Sequence, residues 1–248
     1  MLERMTVRDI QAIQDAVAEY WPDVRWVETT GSTNADLLAD STAGPGTVLI
    51  ADEQTGGKGR LGRTWVSPKG AQLAMSMVVE VPQNPSPFGL LSIAPGLAVT
   101  DVVPQARLKW PNDVQIGGKK IAGILSALDT NRVIVGIGIN VALREDDLPV
   151  PTATSLNLEG IEVDFDDFAI DILNAMGARL AQWRDGDPQL LEDYRAVCST
   201  IGQQVRLELR DGEETVTGTV TGINDEGEVL IDDRPYSVGD VHHLRPKQ

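Results

Sequence analysis

Between two apolar strand patterns, Thr47 to Ala51 (TVLIA) and Gln72 to Val81 (QLAMSMVVEV), lies a glycine-rich basic loop, Gln54 to Gly70. It contains Gly56, Gly57, Gly59, Gly62 and Gly70, the cations Lys58, Arg60, Arg63 and Lys69, and no acidic residue. Its centre, Gly57-Lys58-Gly59-Arg60-Leu61-Gly62, satisfies G-x-G-x-x-G. A dinucleotide fold needs a helix opening directly after that motif, so that the pyrophosphate meets free N–H groups. Here the loop runs on through Arg63-Thr64-Trp65-Val66-Ser67-Pro68 into a β pattern, so a Rossmann site is excluded. No G-K-[ST] follows, which excludes a Walker loop as well. Taken alone, the loop is an exposed flexible hairpin, or a mobile segment that closes over an anionic ligand.

The surrounding charge makes an anion site worth pursuing. The formal net charge is −16, which repels nucleic-acid phosphates, so no nucleic-acid partner is expected. A second stretch, Gln105 to Leu125, carries Arg107, Lys109, Lys119 and Lys120 against the single acid Asp113. The two stretches hold 8 of the 21 Lys and Arg, with glycines and turn residues interleaved. They are either solvated basic loops or parts of one anion site. Of 248 residues, 42% are hydrophobic, enough for one large domain or a large one with a small one. No apolar run is long enough to span a bilayer and MLERMTVRDI lacks a signal peptide's apolar region, so a cytoplasmic protein is expected. The single Cys198 excludes an internal disulfide framework and a multi-cysteine metal site.

Along the chain, Val7 to Tyr20 reads as an amphipathic helix with Ile10, Ile13 and Val17 on one face. Ser32-Thr33-Asn34 precedes a helical segment, Ala35 to Asp40; helix capping accounts for Ser32 or Thr33, and a helix N-terminus also offers N–H groups to a ligand. Pro87 to Val103 is helical in pattern, interrupted by Pro95. Arg107 to Trp110 is a short strand ending in the turn Pro111-Asn112-Asp113; Ile121 to Leu128 and Arg132 to Val141 are strands. Asp167 to Trp183 and Leu190 to Val197 are helices. Beyond Thr200 the pattern becomes β throughout, with strands at Gln204–Leu209, Thr215–Ile223, Val229–Ile231 and Pro235–Val238 and turns at Asp211-Gly212 and Glu226-Gly227. Short strands in so few residues suggest a small barrel, with the boundary near Cys198: residues 1–198 and 199–248.

Four constellations carry potential chemistry. The loop is the first. In Lys109-Trp110-Pro111-Asn112-Asp113, either Trp110 is buried at a strand end before a tight turn, or Lys109 and Asn112 meet a ligand's phosphates or carbonyl. In Lys119-Lys120-Ile121-Ala122-Gly123, a lysine at the mouth of an apolar strand can carry its ammonium into a site, and Gly123 suggests close approach of another group. In Gly136-Ile137-Gly138-Ile139-Asn140, two glycines leave room on one strand face. Each alone is ordinary core architecture about as often as a site.

Together, with Gly31-Ser32-Thr33-Asn34 and Gln54-Thr55-Gly56-Gly57, these ordered motifs resemble the biotin–protein ligase family across roughly Thr30 to Val141. One departure is Lys58, where the family's loop usually has arginine; lysine keeps the charge and loses the planar fork. The resemblance implies an α/β (α+β) fold: a mixed sheet with flanking helices like that of class II aminoacyl-tRNA synthetases, and a small C-terminal SH3-like β-barrel. It implies a monofunctional form without an N-terminal DNA-binding domain. The implied activity is formation of biotinyl-5′-AMP from biotin and ATP, with Mg2+, then transfer of biotin to a lysine of the biotin carboxyl carrier domain of an acyl-CoA carboxylase, the enzyme being a monomer or homodimer. By similarity, Ser32, Thr33, Asn34, Gln54, Gly57, Lys58, Gly59, Arg60, Lys120 and Gly123 serve biotin. Arg60, Arg63, Trp65, Lys109, Asn112, Lys120 and Asn140 serve ATP and the adenylate. Lys120 and Arg60 are the catalytic cations, and Asp113 is the candidate metal ligand. Trp65 is expected to pack on adenine when the loop closes, and loop 55–70 to order on ligand binding. His242 and His243 are expected on the surface. Rival readings are a lipoate- or octanoate-handling enzyme, a ligand-sensing regulator without catalysis, and a binding or scaffold module.

Overall fold

In a computed structural model that describes residues 8–65, 68–82, 87–129, 132–209 and 212–244, alternation along one strand pair decides what each side of the main sheet does. Seven strands form that sheet: β1 (Asp23–Thr30), β2 (Thr47–Gln54), β3 (Gln72–Glu80), β4 (Arg107–Lys109), β5 (Asp113–Ile116), β6 (Lys119–Asp129) and β7 (Arg132–Asn140). Their order is β1-β2-β3-β7-β6-β5-β4; β1 and β2 are parallel and every other pair antiparallel, so the sheet is mixed, as expected. Successive side chains of a strand point to opposite faces. On β3, Leu73, Met75 and Met77 face the main core; on β7, Val133, Val135, Ile137 and Ile139 do.

That face is covered by α4 (Ile93–Val102) and α5 (Phe165–Asp185), whose Leu97, Ile172, Leu173 and Met176 belong to the same buried cluster. Asp164 caps α5 through the N–H groups of Asp166 and Asp167, and left-handed Gly186 (φ 70°) ends it. Helix α1 (Ile10–Val17) packs Ile13 and Val17 into the core; the expected start at Val7 lies outside the described residues. Pro95 does not interrupt a helix. It sits in the first turn of α4, where a missing N–H costs little, and the break falls at Ser92, after α3 (Phe88–Leu91). Among the described residues no helix is long and apolar enough to cross a membrane.

The opposite face is covered only at one end. Helix α2 (Thr33–Ala39) lays Leu37 against Val78 of β3, Ile134 of β7 and Leu49 of β2. Arg132 ties this helix down. Its guanidinium donates to the carbonyls of Leu38 (3.2 Å), Asp40 (3.1 Å) and Ala43 (2.7 Å) and to Asp129 (3.0 Å), satisfying carbonyls left over where α2 ends.

Helix α6 (Gln189–Val197) leads to an antiparallel five-stranded sheet of β8 (Gln204–Leu209), β9 (Glu214–Ile223), β10 (Val229–Ile231), β11 (Arg234–Tyr236) and β12 (Asp240–His243), in the order β11-β10-β9-β8-β12. The ladder runs open from β11 to β12. Of the expected turns, Gly227 has the left-handed φ of 81°, while Asp211 lies outside the described residues. This sheet is fastened to the larger one. Trp110, 4% exposed, donates its indole N–H to Gly227 O (3.0 Å) and its backbone N–H to Thr200 Oγ1 (3.0 Å), while Arg195 donates twice to Ile223 O (2.9 and 2.7 Å). Val205, Leu207, Val220 and Val241 join the main core.

Arg132→Ala removes charge-assisted bonds from a side chain only 17% exposed, and should destabilise the protein by about 2 kcal/mol. Urea unfolding checks this: Arg132→Lys should recover part of the loss, and an unchanged midpoint for the alanine variant would contradict the anchoring role.

Candidate active site

Past the edge of α2, the uncovered face continues as a floor with almost no side chains. On β3 it reads Ser76, Ala74, Gln72; on β7 it reads Gly136, Gly138, Asn140. Strand register aligns these into rows: Ser76–Gly136–Leu125, then Ala74–Gly138–Gly123–Asp113, then Gln72–Asn140. Above the floor is a cavity of about 430 Å³. The room expected at the two glycines is used. A Cβ on Gly136 would lie 2.1 Å from Asn34 Oδ1, and one on Gly138 would lie 2.4 Å from Trp65 Nε1.

One end of the cavity is uncharged and dense in hydrogen-bonding groups. Gln54 Oε1 accepts from Thr33 N (2.9 Å), with Thr33 Oγ1 3.1 Å away. Thr33 Oγ1 pairs with Ser76 Oγ (2.6 Å), Ser76 donates to Asn34 Oδ1, and Asn34 Nδ2 donates to Leu125 O (3.0 Å). Ser32 occupies the N-cap of α2, yet its side chain caps nothing. It is 8% exposed and its hydroxyl has no hydrogen-bond partner among the described residues, which favours a ligand role over the capping role.

The loop folds back over the middle as a small hairpin. Lys58 bridges Thr64, Gly59 N donates to Arg63 O (2.7 Å), and Trp65 N donates to Gly57 O (2.8 Å). Gly57 is obligatory here, since a Cβ would come within 2.6 Å of Trp65 O. Val66 and Ser67 lie outside the described residues. The indole of Trp65 rests on Gly138 and Gly123 and donates to Gln72 Oε1 (2.9 Å). Lys120 Nζ stands 5.3 Å from the Trp65 ring centroid and 2.5 Å from Asp113 Oδ1.

The other end is cationic. Arg60 donates to Gly239 O (3.3 Å) and Arg63 pairs with Asp240, both on the C-terminal sheet or its approach. Burial pulls the Lys109 ammonium below its ordinary value, with Asp113 opposing that shift and Lys120 adding to it. Burial likewise lowers Arg60, against the pull of Asp240 and Asp113. Lys58 is exposed.

The remaining expected residues have these neighbours. Asp113 is the ion-pair partner of Lys120, and among the described residues no three His, Cys, Asp or Glu come together to hold a metal. Asn112 spends one amide donor on Ile124 O (2.8 Å) and accepts Ile124 N at its backbone carbonyl (3.1 Å), which fixes the turn. Asn140, 3% exposed, accepts from Gln72 Nε2 (2.9 Å) and donates to Thr154 O (2.8 Å). His242 is exposed but at the cavity rim; His243 is half-buried, 3.3 Å from Thr200 Oγ1, and burial, then Lys109, lowers its pKa. Sequence reasoning missed Gln72, Ser76, Asp240 and the 152–154 segment, which pairs with Lys120 through Lys120 N to Thr152 O (2.8 Å) and Thr154 N to Lys120 O (2.9 Å). Gln72 and Ser76 share the parity of the floor, a signal present in the strand pattern.

The cavity thus joins a neutral polar pocket to a cluster of cations across a glycine floor, beneath a loop that carries both a flat ring and positive charge. Residues 25–143 match the biotin/lipoate A/B protein ligase family, and residues 200–244 match the biotin protein ligase C terminal domain. The chain is 43% identical over 242 residues to the biotin–[acetyl-CoA-carboxylase] ligase of Mycobacterium tuberculosis, covering 91% of this chain and 90% of that one. Among solved structures, the biotin protein ligase from Aquifex aeolicus in complex with biotin and ATP superposes with a TM-score of 0.78 at 28% identity, over 91% of this chain and all (100%) of that chain. The Leishmania major ligase in complex with biotinyl-5-AMP gives 0.59 at 27% identity, covering 91% and 99%. On these grounds the chain belongs to the biotin protein ligases, within the biotin/lipoate A/B protein ligase family.

Proposed function

We propose that this protein activates biotin with ATP as biotinyl-5′-AMP and transfers the biotinyl group to a lysine of a biotin carboxyl carrier domain of an acyl-CoA carboxylase. The observation that carries this reading is that one cavity has a neutral hydrogen-bonding end at Ser32, Thr33, Asn34 and Gln54 and a cationic end at Arg60, Arg63, Lys109 and Lys120. A ureido ring offers N–H donors and a carbonyl acceptor, and the first end supplies partners for both. Residues 1–198 form the unit that binds biotin and ATP. Residues 199–248, for which we propose an SH3-like barrel, contribute the wall that holds the loop's arginines.

In the first step a biotin carboxylate oxygen attacks the α-phosphorus of ATP, and the bond to the β-phosphate oxygen breaks as pyrophosphate leaves. Two anions must meet, so positioning and charge stabilisation are what the protein supplies. Carboxylate attack needs no general base. Lys120 takes the carboxylate and the developing acyl phosphate, exchanging Asp113 for the ligand. Arg60 and Arg63 exchange the Gly239 carbonyl and Asp240 for phosphate oxygens, with Lys109 behind them. Gly57, Lys58, Gly59 and Gly123 line the biotin tail, while Trp65, Asn112 and Asn140 shape the nucleotide side. A magnesium ion bound with the triphosphate would neutralise phosphate charge, and Asp113, once released from Lys120, would help to hold it. In the second step the uncharged amine of the carrier lysine attacks the acyl carbon, AMP leaves, and the amine releases a proton to solvent. Until then the loop must keep water from the anhydride.

A lipoate- or octanoate-handling enzyme is the rival within the same family. Pyrophosphate exchange into ATP separates the two. Exchange should occur with biotin and not with lipoate or octanoate, and Lys120→Ala should slow it by about 10²–10³-fold. Exchange with a fatty acid instead would reassign the substrate, and none with biotin from folded protein would refute the ligase reading. Ser32→Ala tests the pocket separately. Losing one hydrogen bond to biotin should raise its KM about tenfold while thermal stability holds. A loss of about 1 kcal/mol in stability with unchanged KM would instead restore the helix-cap role.

A further inference from the structure

Gln72 is 1% exposed, lies at the far end of the floor, and has an orientation that the backbone dictates. Thr154 O can only accept, so the Asn140 atom 2.8 Å from it is the amide nitrogen. Asn140 therefore turns its oxygen to Gln72, whose amide nitrogen lies 2.9 Å away. Gln72 in turn presents its carbonyl oxygen to the cavity, 2.9 Å from the indole nitrogen of Trp65, a group that can only donate. Flipping either amide would set like against like at the two contacts named here for it. Thr154 is itself fixed to the strand of Lys120 by its N–H to Lys120 O (2.9 Å). The same relay that aims Gln72 is thus tied to the backbone of the proposed catalytic lysine. Gly138 and Gly123 leave the ring room on the floor, and the Gln72 carbonyl is the hydrogen-bond acceptor that its N–H meets there.

We propose that Gln72 is a positioning residue for the first chemical step: its carbonyl sets the place and tilt of the Trp65 indole, and the nucleotide base stacks on the ring so held. The stacking half of this inference rests on the ATP-dependent reading above; the hydrogen bond stands without it.

Two measurements separate the two halves. In the ligand-free protein, the Trp65 indole N–H resonance, assigned by its absence in Trp65→Phe, should exchange slowly with solvent, and about tenfold or more faster in Gln72→Met. That variant removes both polar atoms and keeps the length of the side chain. Unchanged exchange in folded Gln72→Met would overturn the proposal whatever the enzyme does. In steady-state assays Gln72→Met should raise the KM for ATP about tenfold, as loss of one hydrogen bond does, while kcat and the KM for biotin stay within about twofold. Trp65→Phe keeps a flat ring and loses the N–H, so it should raise the KM for ATP comparably, and adding Gln72→Met to it should do little more. Additive effects in the double variant, or a rise in the biotin KM alone, would make Gln72 a structural residue only. Should Gln72→Met fail to fold, Trp65→Phe still decides, because a wild-type KM for ATP in that variant refutes a role for the N–H.

Discussion

The site depends on an absence of side chains held in register. Gly136, Gly138 and Gly123 fall on one face of neighbouring strands, level with Ser76 and Ala74 across the ladder. The opposite face of the same strands is filled with Leu, Met, Val and Ile packed under α4 and α5. A sheet so anchored on one side cannot move to fill a hollow on the other, because interiors are close-packed and resist local collapse. The hollow is therefore as rigid as the core beneath it. Period-two alternation ties these outcomes together, since any slip of β7 by one residue would bury Asn140 among hydrocarbon and turn Ile137 into the pocket.

Charge is managed by temporary partners. The chain is strongly acidic overall, and each central cation of the site sits near an acid or a carbonyl: Lys120 with Asp113, Arg63 with Asp240, Arg60 with Gly239 O. For the partly buried Lys120 and Arg60 such contacts keep a cation from standing unpaired away from water; Arg63 is exposed and gains less from its pair. They are also replaceable, because a phosphate or carboxylate oxygen offers the same kind of acceptor. In the mechanism proposed here, ligand binding is an exchange of anions around fixed positive groups.

Glycines, turn residues and apolar periodicity disclosed most strands and helices, because they leave local traces; the mixed sheet and the meeting of the loop with the Lys109 and Lys120 segments came from the resemblance that the ordered motifs carry. The sequence hid β1, whose Val24, Trp26 and Val27 are interspersed with charged Asp23, Arg25 and Glu28 in a way easily taken for loop, and the short strands β5 and β12. Within QLAMSMVVEV the apolar residues mask the parity that places Gln72 and Ser76 beside Gly136 and Asn140. Asp240 left no trace at all: its role exists only because the C-terminal sheet docks through Trp110 and Arg195. Pro95 shows the converse error, in which a residue that breaks helix interiors was placed by the fold where helices begin.

The two ends of the pocket differ in how far apart their parts lie along the chain. At the neutral end Thr33 and Gln54 are separated by 21 residues, Thr33 and Ser76 by 43 and Asn34 and Leu125 by 91, whereas Arg60 reaches Gly239 across 179 and Arg63 reaches Asp240 across 177. Contacts between distant segments wait on the closure of large loops of chain. The neutral end accordingly needs nothing beyond the first seven strands, and the anion-binding end is complete only when the C-terminal sheet is in place. A chain halted partway would hold the hydrogen-bonding pocket but not the cationic clamp.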